Sequence, residues 1–328
     1  MGKEITLAYG GGGEETQKLI KDLFYRYFEN PILLRGEDSG ILPPLEGEIA
    51  FTTDGFTISP LFFNGGNIGK LAVVGTANDL AMAGAKPRYL TGSFMIEEGL
   101  EWETLEKIVQ SMGKVLKEEG ILLVGGDTKV VPKGSVDKLF ISTSGIGEIR
   151  YRGISASNLQ PGDKIVISGE IGRHGAVILA HRYGVETDLT SDCAPLWERV
   201  EKLIGEGIKI KALRDATRGG LSALLNEWAE ASGVEIGVEE EKISVPDGVM
   251  GLCELFGFDP LDLANEGTFA VAVAPEDATR TREILRLFNP NAQIIGEVRE
   301  GKGVVLESPW GTSRYLELPK GELLPRIC

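Results

Sequence analysis

Apolar and polar positions change period several times along the chain, and those changes divide it into elements. Across residues 14–29, Leu19, Ile20, Leu23, Phe24, Tyr27 and Phe28 recur at helical spacing, which predicts an amphipathic helix ended by Asn30-Pro31. After a loop through Pro43-Pro44, residues 49–53 predict a strand and residues 67–82 a glycine- and alanine-rich helix capped by Asn67. A strand over 88–96, a helix over 102–117, a short buried strand over 121–124 that stops at Gly125-Gly126, and a strand over 139–149 follow. A second series opens at Pro161-Gly162-Asp163. Its expected helices cover 172–183, 196–204, 219–231, 249–256 and 278–288, and its expected strands 164–168, 234–238, 268–273, 294–298 and 303–306. Beyond Ser308 the pattern fades, and residues 311–328 predict a mobile C-terminal arm with two prolines.

Length and composition extend this to two domains, because 328 residues with 42% hydrophobic content exceed one ordinary core. A formal net charge of -15 argues against nucleic acid or an anionic membrane as the main partner. No apolar run approaches a membrane span, and residues 1–13 lack the basic and apolar regions of a signal peptide, so a cytoplasmic protein is expected. Cys193, Cys253 and Cys328 are odd in number and widely spaced, which disfavours a disulfide framework or a zinc site. The first two sit among apolar neighbours and read as small core residues, whereas Cys328, the last residue, has no such cover.

Two features carry candidate chemistry. Gly10, Gly11, Gly12 and Gly13 precede the first helix, where backbone N–H groups and the helix dipole favour phosphate, although the run equally suits a flexible leader. Asp38, Asp54, Asp79, Asp127 and Asp215 each stand in short polar or glycine-containing breaks at strand ends or helix starts. Each could serve as a turn or cap residue, but convergent carboxylates are what a magnesium–ATP site requires. Asp79 is least suited to capping, because Asn78-Asp79 interrupts an otherwise apolar helix.

The segments Thr53-Asp54-Gly55, residues 78–87 (NDLAMAGAKP) and Gly125-Gly126-Asp127-Thr128 resemble the signatures of the aminoimidazole ribonucleotide synthetase superfamily. With Pro60-Leu61-Phe62-Phe63, residues 67–72, Gly172-Arg173-His174-Gly175, residues 216–221 and the terminal Pro325-Arg326-Ile327-Cys328, the whole chain resembles the HypE family of hydrogenase maturation factors, which are carbamoyl dehydratases.

The resemblance implies a mixed α/β (α+β), two-domain PurM-like architecture. Residues 1–35 would form a glycine-rich segment and helix, 36–150 an ATP-binding and dimerisation domain, 151–308 a second α/β domain, and 309–328 a mobile arm. It implies ATP and Mg2+ as cofactors, and a homodimer. The carbamoyltransferase HypF would be carbamoyl donor and the HypC–HypD iron scaffold cyanide acceptor. Cys328 would receive a carbamoyl group, which ATP-driven dehydration turns into a thiocyanate for the iron of a nickel-iron hydrogenase. Asp38, Asp54, Asp79 and Asp127 would hold metal, Gly10 to Gly13 with Asp54 and Asp215 the ATP phosphates, and Glu266 or Lys129 would serve as base. Apart from the resemblance, the adjacent Arg326 could lower the thiol pKa, which adjacency in sequence does not by itself establish. His174 and His181, seven apart on one expected helix, read as structural, with His174 the stronger secondary candidate. The competing expectations are selenophosphate synthetase, whose reactive cysteine and lysine have no counterpart in residues 9–17, and a non-catalytic ATP-binding scaffold.

Overall fold

The structure, a computed structural model, describes residues 4–319 and 326–328. The first helix runs as α1 (Glu14–Leu19), a π-helical stretch (Ile20–Tyr25) and α2 (Arg26–Phe28). There follow β1 (Ile49–Phe56), a small hairpin of β2 (Phe62–Phe63) and β3 (Gly66–Asn67), α3 (Ile68–Met82), β4 (Ala85–Glu97), α4 (Trp102–Glu119), β5 (Leu122–Val131) and β6 (Leu139–Ile149). The second half holds β7 (Lys164–Ile167), α5 (Arg173–Tyr183), α6 (Trp197–Gly205), β8 (Ile210–Asp215), α7 (Gly220–Ser232), β9 (Glu235–Glu239) and α8 (Asp247–Phe256). It closes with β10 (Phe269–Val273), α9 (Pro275–Arg286), β11 (Gln293–Arg299), β12 (Gly303–Glu307) and β13 (Ser313–Tyr315).

The first half builds a four-stranded sheet of order β1-β6-β4-β5, in which β4, α4 and parallel β5 form the crossover unit. On β6, Leu139, Ile141, Thr143, Gly145 and Gly147 alternate inward, and α3 lies across that inner face. Asn67 caps α3 as expected, its Oδ1 accepting from the Gly69 and Lys70 amides at 2.9 and 3.0 Å. Nearly all of α3 is buried, because the second half covers the side that the sheet leaves open. The second half is a seven-stranded mixed sheet of order β13-β12-β9-β11-β7-β10-β8 with helices packed around it. Its strand β10 (FAVAV) is buried at every position, as a strand covered on both faces must be.

Three expectations change. The strand expected over 121–124 continues through Gly125, Gly126 and Asp127 to Val131, because β4 pairs with it throughout and a Cβ at Gly126 would lie 2.6 Å from the Gly92 carbonyl oxygen. Strand β8 was absent from the expected set, since Lys211 and Arg214 mask its apolar positions at the sheet edge. The C-terminal arm is held by the fold on both sides of its undescribed part. Ser313 to Tyr315 add an antiparallel strand to β12, and Leu316 is buried. Arg326 to Cys328 are docked against the body, with Ile327 only 4% exposed in the same core cluster as Phe56, Ile58, Phe63 and Val177. The expected mobility of residues 320–325 lies outside the described residues.

Candidate active site

Asp54 on β1 and Asp79 on α3 meet because α3 crosses the inner face of the sheet at its β1 side. The two carboxyls lie close enough for each to act on the other's titration. Thr52 Oγ1 donates to Asp79 Oδ2 at 2.8 Å. Burial, then the Asp79 charge, pushes Asp54 up to about 6, and burial raises Asp79 as well. Asp215, at the end of β8, is pushed up to about 7 by burial and then by Asp79.

Glu266 sits in the turn before β10, where the carboxylate of Asp192 accepts both the Glu266 and Gly267 amides at 3.1 Å. A Cβ at Gly267 would lie 1.8 Å from the Asp192 carbonyl oxygen, so only glycine permits this turn. The Glu266 side chain is buried, its Oε1 has no hydrogen-bond partner among the described residues, and burial followed by Asp215 and Asp192 lifts its pKa well above the usual carboxylate range. From α3, Asn78 reaches this turn, its Nδ2 donating to the Glu266 and Ala194 carbonyls and its Oδ1 accepting the Leu196 amide at 2.9 Å. Asn78 therefore ties the two halves together beside the acidic group, and its position next to Asp79 inside an apolar helix was the sequence signal for it.

The thiol of Cys328 belongs to the same neighbourhood. It packs on the core cluster that contains Cys193, and Glu266, Arg218 and Asp54 all act on its charge. Burial first, then Glu266, pushes the thiol up to about 12. Arg218 is among the groups that lower it, and Arg326, adjacent in sequence, is not. Its guanidinium turns away to the Thr57 carbonyl at 2.8 Å, to Asp137 at 2.7 Å and over the Phe140 ring. The backbone of the docked segment is paired on both sides. Thr57 N–H donates to Cys328 O at 2.9 Å and Ser59 N–H to Arg326 O at 3.3 Å, while His174 Nε2 bonds Ile327 O at 2.9 Å and Arg182 Nη2 bonds Arg326 O. Arg326 adopts φ 53°, a left-handed conformation uncommon outside glycine, and these contacts hold it there. Neither Thr57, Ser59 nor Arg182 carried a signal in the sequence. His181 serves the β2–β3 region, its Nε2 accepting the Asn64 amide at 3.2 Å.

The remaining candidates lie elsewhere in the chain. Asp54 pairs with Thr143 on β6, Thr143 with Gly92 on β4, and Gly92 with Gly126 on β5. Three strand spacings, about 14 Å, therefore separate Asp54 from the edge that carries Asp127 and Lys129. Asp127 is exposed, held below the usual range chiefly by Lys129, whose Nζ donates to it at 2.9 Å. Asp127 and Asp38 line a cavity of about 250 Å³ with Ile20, Phe24 and Phe28 of the π-containing first helix. The structure thus brings Asp54, Asp79 and Asp215 together and leaves Asp38 and Asp127 at the opposite edge. Gly10 packs on Val130 of β5, and the Gly11 and Gly12 amides are already bonded to Ala8 O and Thr16 Oγ1 at 3.2 and 2.9 Å, so the glycine run is not an open ring of N–H donors.

Among the described residues, no three acidic, histidine or cysteine side chains already converge at metal-ligating distance. The donor chemistry nevertheless fits a hard divalent ion, since the buried Asp215 and the half-buried Asp54 and Asp79 are carboxyls whose pKa values are all raised.

Fold and site define the class. Models for the AIR synthase related protein match the chain over residues 36–149 for the N-terminal domain and 160–308 for the C-terminal domain. The carbamoyl dehydratase HypE of Escherichia coli strain K12 is 47% identical, over 99% of each chain. A crystal structure of the hydrogenase maturation protein HypE in complex with ATP superposes with a TM-score of 0.95 at 45% identity, covering 98% of this chain and 99% of that one. A crystal structure of a HypE–HypF complex aligns with a TM-score of 0.80 at 47% identity, over 92% and 99% of the two chains. The chain belongs to the HypE family of carbamoyl dehydratases.

Proposed function

We propose that this chain carries a carbamoyl group on the sulfur of Cys328 and dehydrates it with ATP to a thiocyanate, which supplies the cyanide ligand of the iron in nickel-iron hydrogenase. The observation that carries the proposal is the docking of Cys328 between the two halves, within electrostatic reach of Glu266 and Asp54. The oxygen of a thiocarbamate leaves poorly until it is phosphorylated. Its attack on the γ-phosphate releases ADP. Loss of one proton from nitrogen gives an imidate phosphate, and loss of a second with expulsion of phosphate leaves S–C≡N.

Glu266 is our first candidate for the base. Its burial and its acidic neighbours favour the protonated form, and balancing the charge on Asp215, Asp54 and Asp79 would make it a better base. Those three aspartates would hold Mg2+, which supplies neutralisation of the triphosphate charge. Such coupling would restrain Glu266 until the nucleotide arrives.

Lys129, Asp38, Asp127 and the segment of Gly10 to Gly13 we assign to the nucleotide side, in a homodimer. In this reading residues 36–150 form the ATP-binding and dimerisation domain. The support is the outer face of β1, where Ile49 and Phe51 stand 54% and 67% exposed, an apolar surface suited to a second chain. Such a dimer would offer the β5 edge of one chain to the acidic cluster of the other. HypF as carbamoyl donor, the HypC–HypD iron scaffold as acceptor, and a cytoplasmic location complete the assignment. Intact-mass measurement with carbamoyltransferase, carbamoyl phosphate and ATP tests it. The expected result is a carbamoyl adduct on Cys328 that then loses one water, and absence of any adduct there defeats the proposal. A scaffold without catalysis would instead keep full biological function in Cys328→Ala.

A further inference from the structure

The docked C-terminal segment is gripped through its peptide groups. Since the Ile327 carbonyl oxygen can only accept, His174 Nε2 must carry the proton of their 2.9 Å bond. Nδ1 then accepts from the Ser191 hydroxyl at 2.8 Å, and the same Ser191 oxygen accepts the Cys193 amide at 3.1 Å. This relay fixes one tautomer of a fully buried ring, which the edge of Phe63 also holds in place. Two turns along the same helix face, Arg182 Nε donates to the Ser59 carbonyl at 2.8 Å while its Nη2 donates to the Arg326 carbonyl. One guanidinium thus joins the strand-like segment of the first half to the docked tail.

We infer that His174 and Arg182 are positioning residues that set how often Cys328 occupies the catalytic cleft, by holding the two peptide carbonyls that precede it. The inference builds on the carrier role proposed above. Because every one of these bonds ends on the backbone, the grip is indifferent to what the sulfur carries. Free thiol, thiocarbamate and thiocyanate dock through the same contacts, so the clamp does not have to be rebuilt at each chemical stage.

The test uses the full-length protein and iodoacetamide, with alkylation of Cys328 followed by mass spectrometry and buried Cys193 and Cys253 as internal references. His174→Phe keeps a ring beside Phe63 but loses the donor, and Arg182→Met loses both donors. Each is expected to raise the Cys328 alkylation rate roughly tenfold, the weight of one or two hydrogen bonds, while the buried thiols stay unreactive. His174→Gln, whose amide can donate in place of Nε2, restores the slow rate. Single-turnover dehydration of preloaded protein falls in the same variants that alkylate faster, whereas loading by a carbamoyltransferase does not slow. An unchanged Cys328 rate in both donor-less variants overturns the inference. If all three thiols of a variant react alike, Ser191→Ala, which removes the Nδ1 partner together with the acceptor of the Cys193 amide, replaces it under the same criterion, with Cys253 as the internal reference. Failure of the unaltered protein to form thiocyanate would defeat the carrier role, while the alkylation rates would still decide the clamp on their own.

Discussion

Two groups of aspartates, alike in local sequence, end in opposite electrostatic states. Asp127 follows two glycines on the outer edge of its sheet, exposed and paired with Lys129, and its pKa falls. Asp54, which precedes a glycine on the other edge, lies under α3 beside Asp79 and Asp215, and its pKa rises to about 6. Glycine neighbours therefore do not tell the two groups apart, and charge state depends on what the rest of the chain lays over the site. One edge faces solvent with its charge paired; the other gathers carboxyls whose pKa values are raised.

The largest effect expected is that of Cys328→Ser, which should abolish thiocyanate in the intact-mass experiment and leave ATP binding, followed by calorimetry, close to wild type. Survival of thiocyanate in that variant would detach the acidic cluster from the reaction.

Glu266→Gln comes next. Because burial and acidic neighbours favour the neutral form of this carboxyl, the amide is a close substitute and thermal unfolding should shift little. Single-turnover dehydration should nevertheless fall by about 10²- to 10⁴-fold if this residue accepts the proton. An unaffected rate would move the role to Lys129.

Asp215→Asn and Asp127→Asn contrast the two edges directly. A carboxyl whose folded pKa is raised favours the protonated form in the fold, so its burden on stability appears as pH climbs past its unfolded value, about 3.9, and is complete above the folded value of about 7. Metal-free Asp215→Asn should accordingly melt higher than the unaltered protein at pH 8, with the gain vanishing toward pH 4. Asp127→Asn breaks only an exposed ion pair and should change stability by less than about 1 kcal/mol at either pH. Equal behaviour of the two variants in a melting series would erase the comparison.

The smallest effect is a shape rather than a rate. The docked thiol, at about 12, is raised above that of a free cysteine, so docking is fully favoured below the free value of about 8.5 and weakens as pH rises beyond it. Alkylation of Cys328 should therefore climb more steeply between pH 8 and 10 in the unaltered protein than in a peptide carrying the same terminal sequence. Identical profiles would mean that the tail spends little time docked.

Most helices and strands were legible because their apolar periods are local: β6 was expected over the residues it occupies, and the Asn67 cap of α3 sits where its side chain chemistry required. What escaped were features decided by distant partners. Strand β8, with Lys211 and Arg214 interrupting its short apolar run, becomes a strand by pairing with β10. The glycine run suited either a phosphate loop or a flexible leader, and nothing in it announced that Gly10 packs against Val130 or that the Gly11 and Gly12 amides bond Ala8 and Thr16. The aspartates were legible as a set but not their division, since no sequence spacing reveals that β1 and β5 are opposite edges of one sheet. The orientation of Arg326 escaped for the same reason: adjacency along the chain puts it beside the thiol, and docking turns it toward Asp137.

The isoleucine before the terminal cysteine carries a kinetic consequence. Ile327 fills a place in the shared core, and returning such a side chain to water costs about 2 kcal/mol, which alone would limit the released form to roughly 3% of molecules. A donor enzyme that waits for that minority is throttled by its abundance. A donor that offers a hydrophobic socket of its own to this isoleucine trades one burial for another and can draw the carrier out at a rate the resting equilibrium does not dictate.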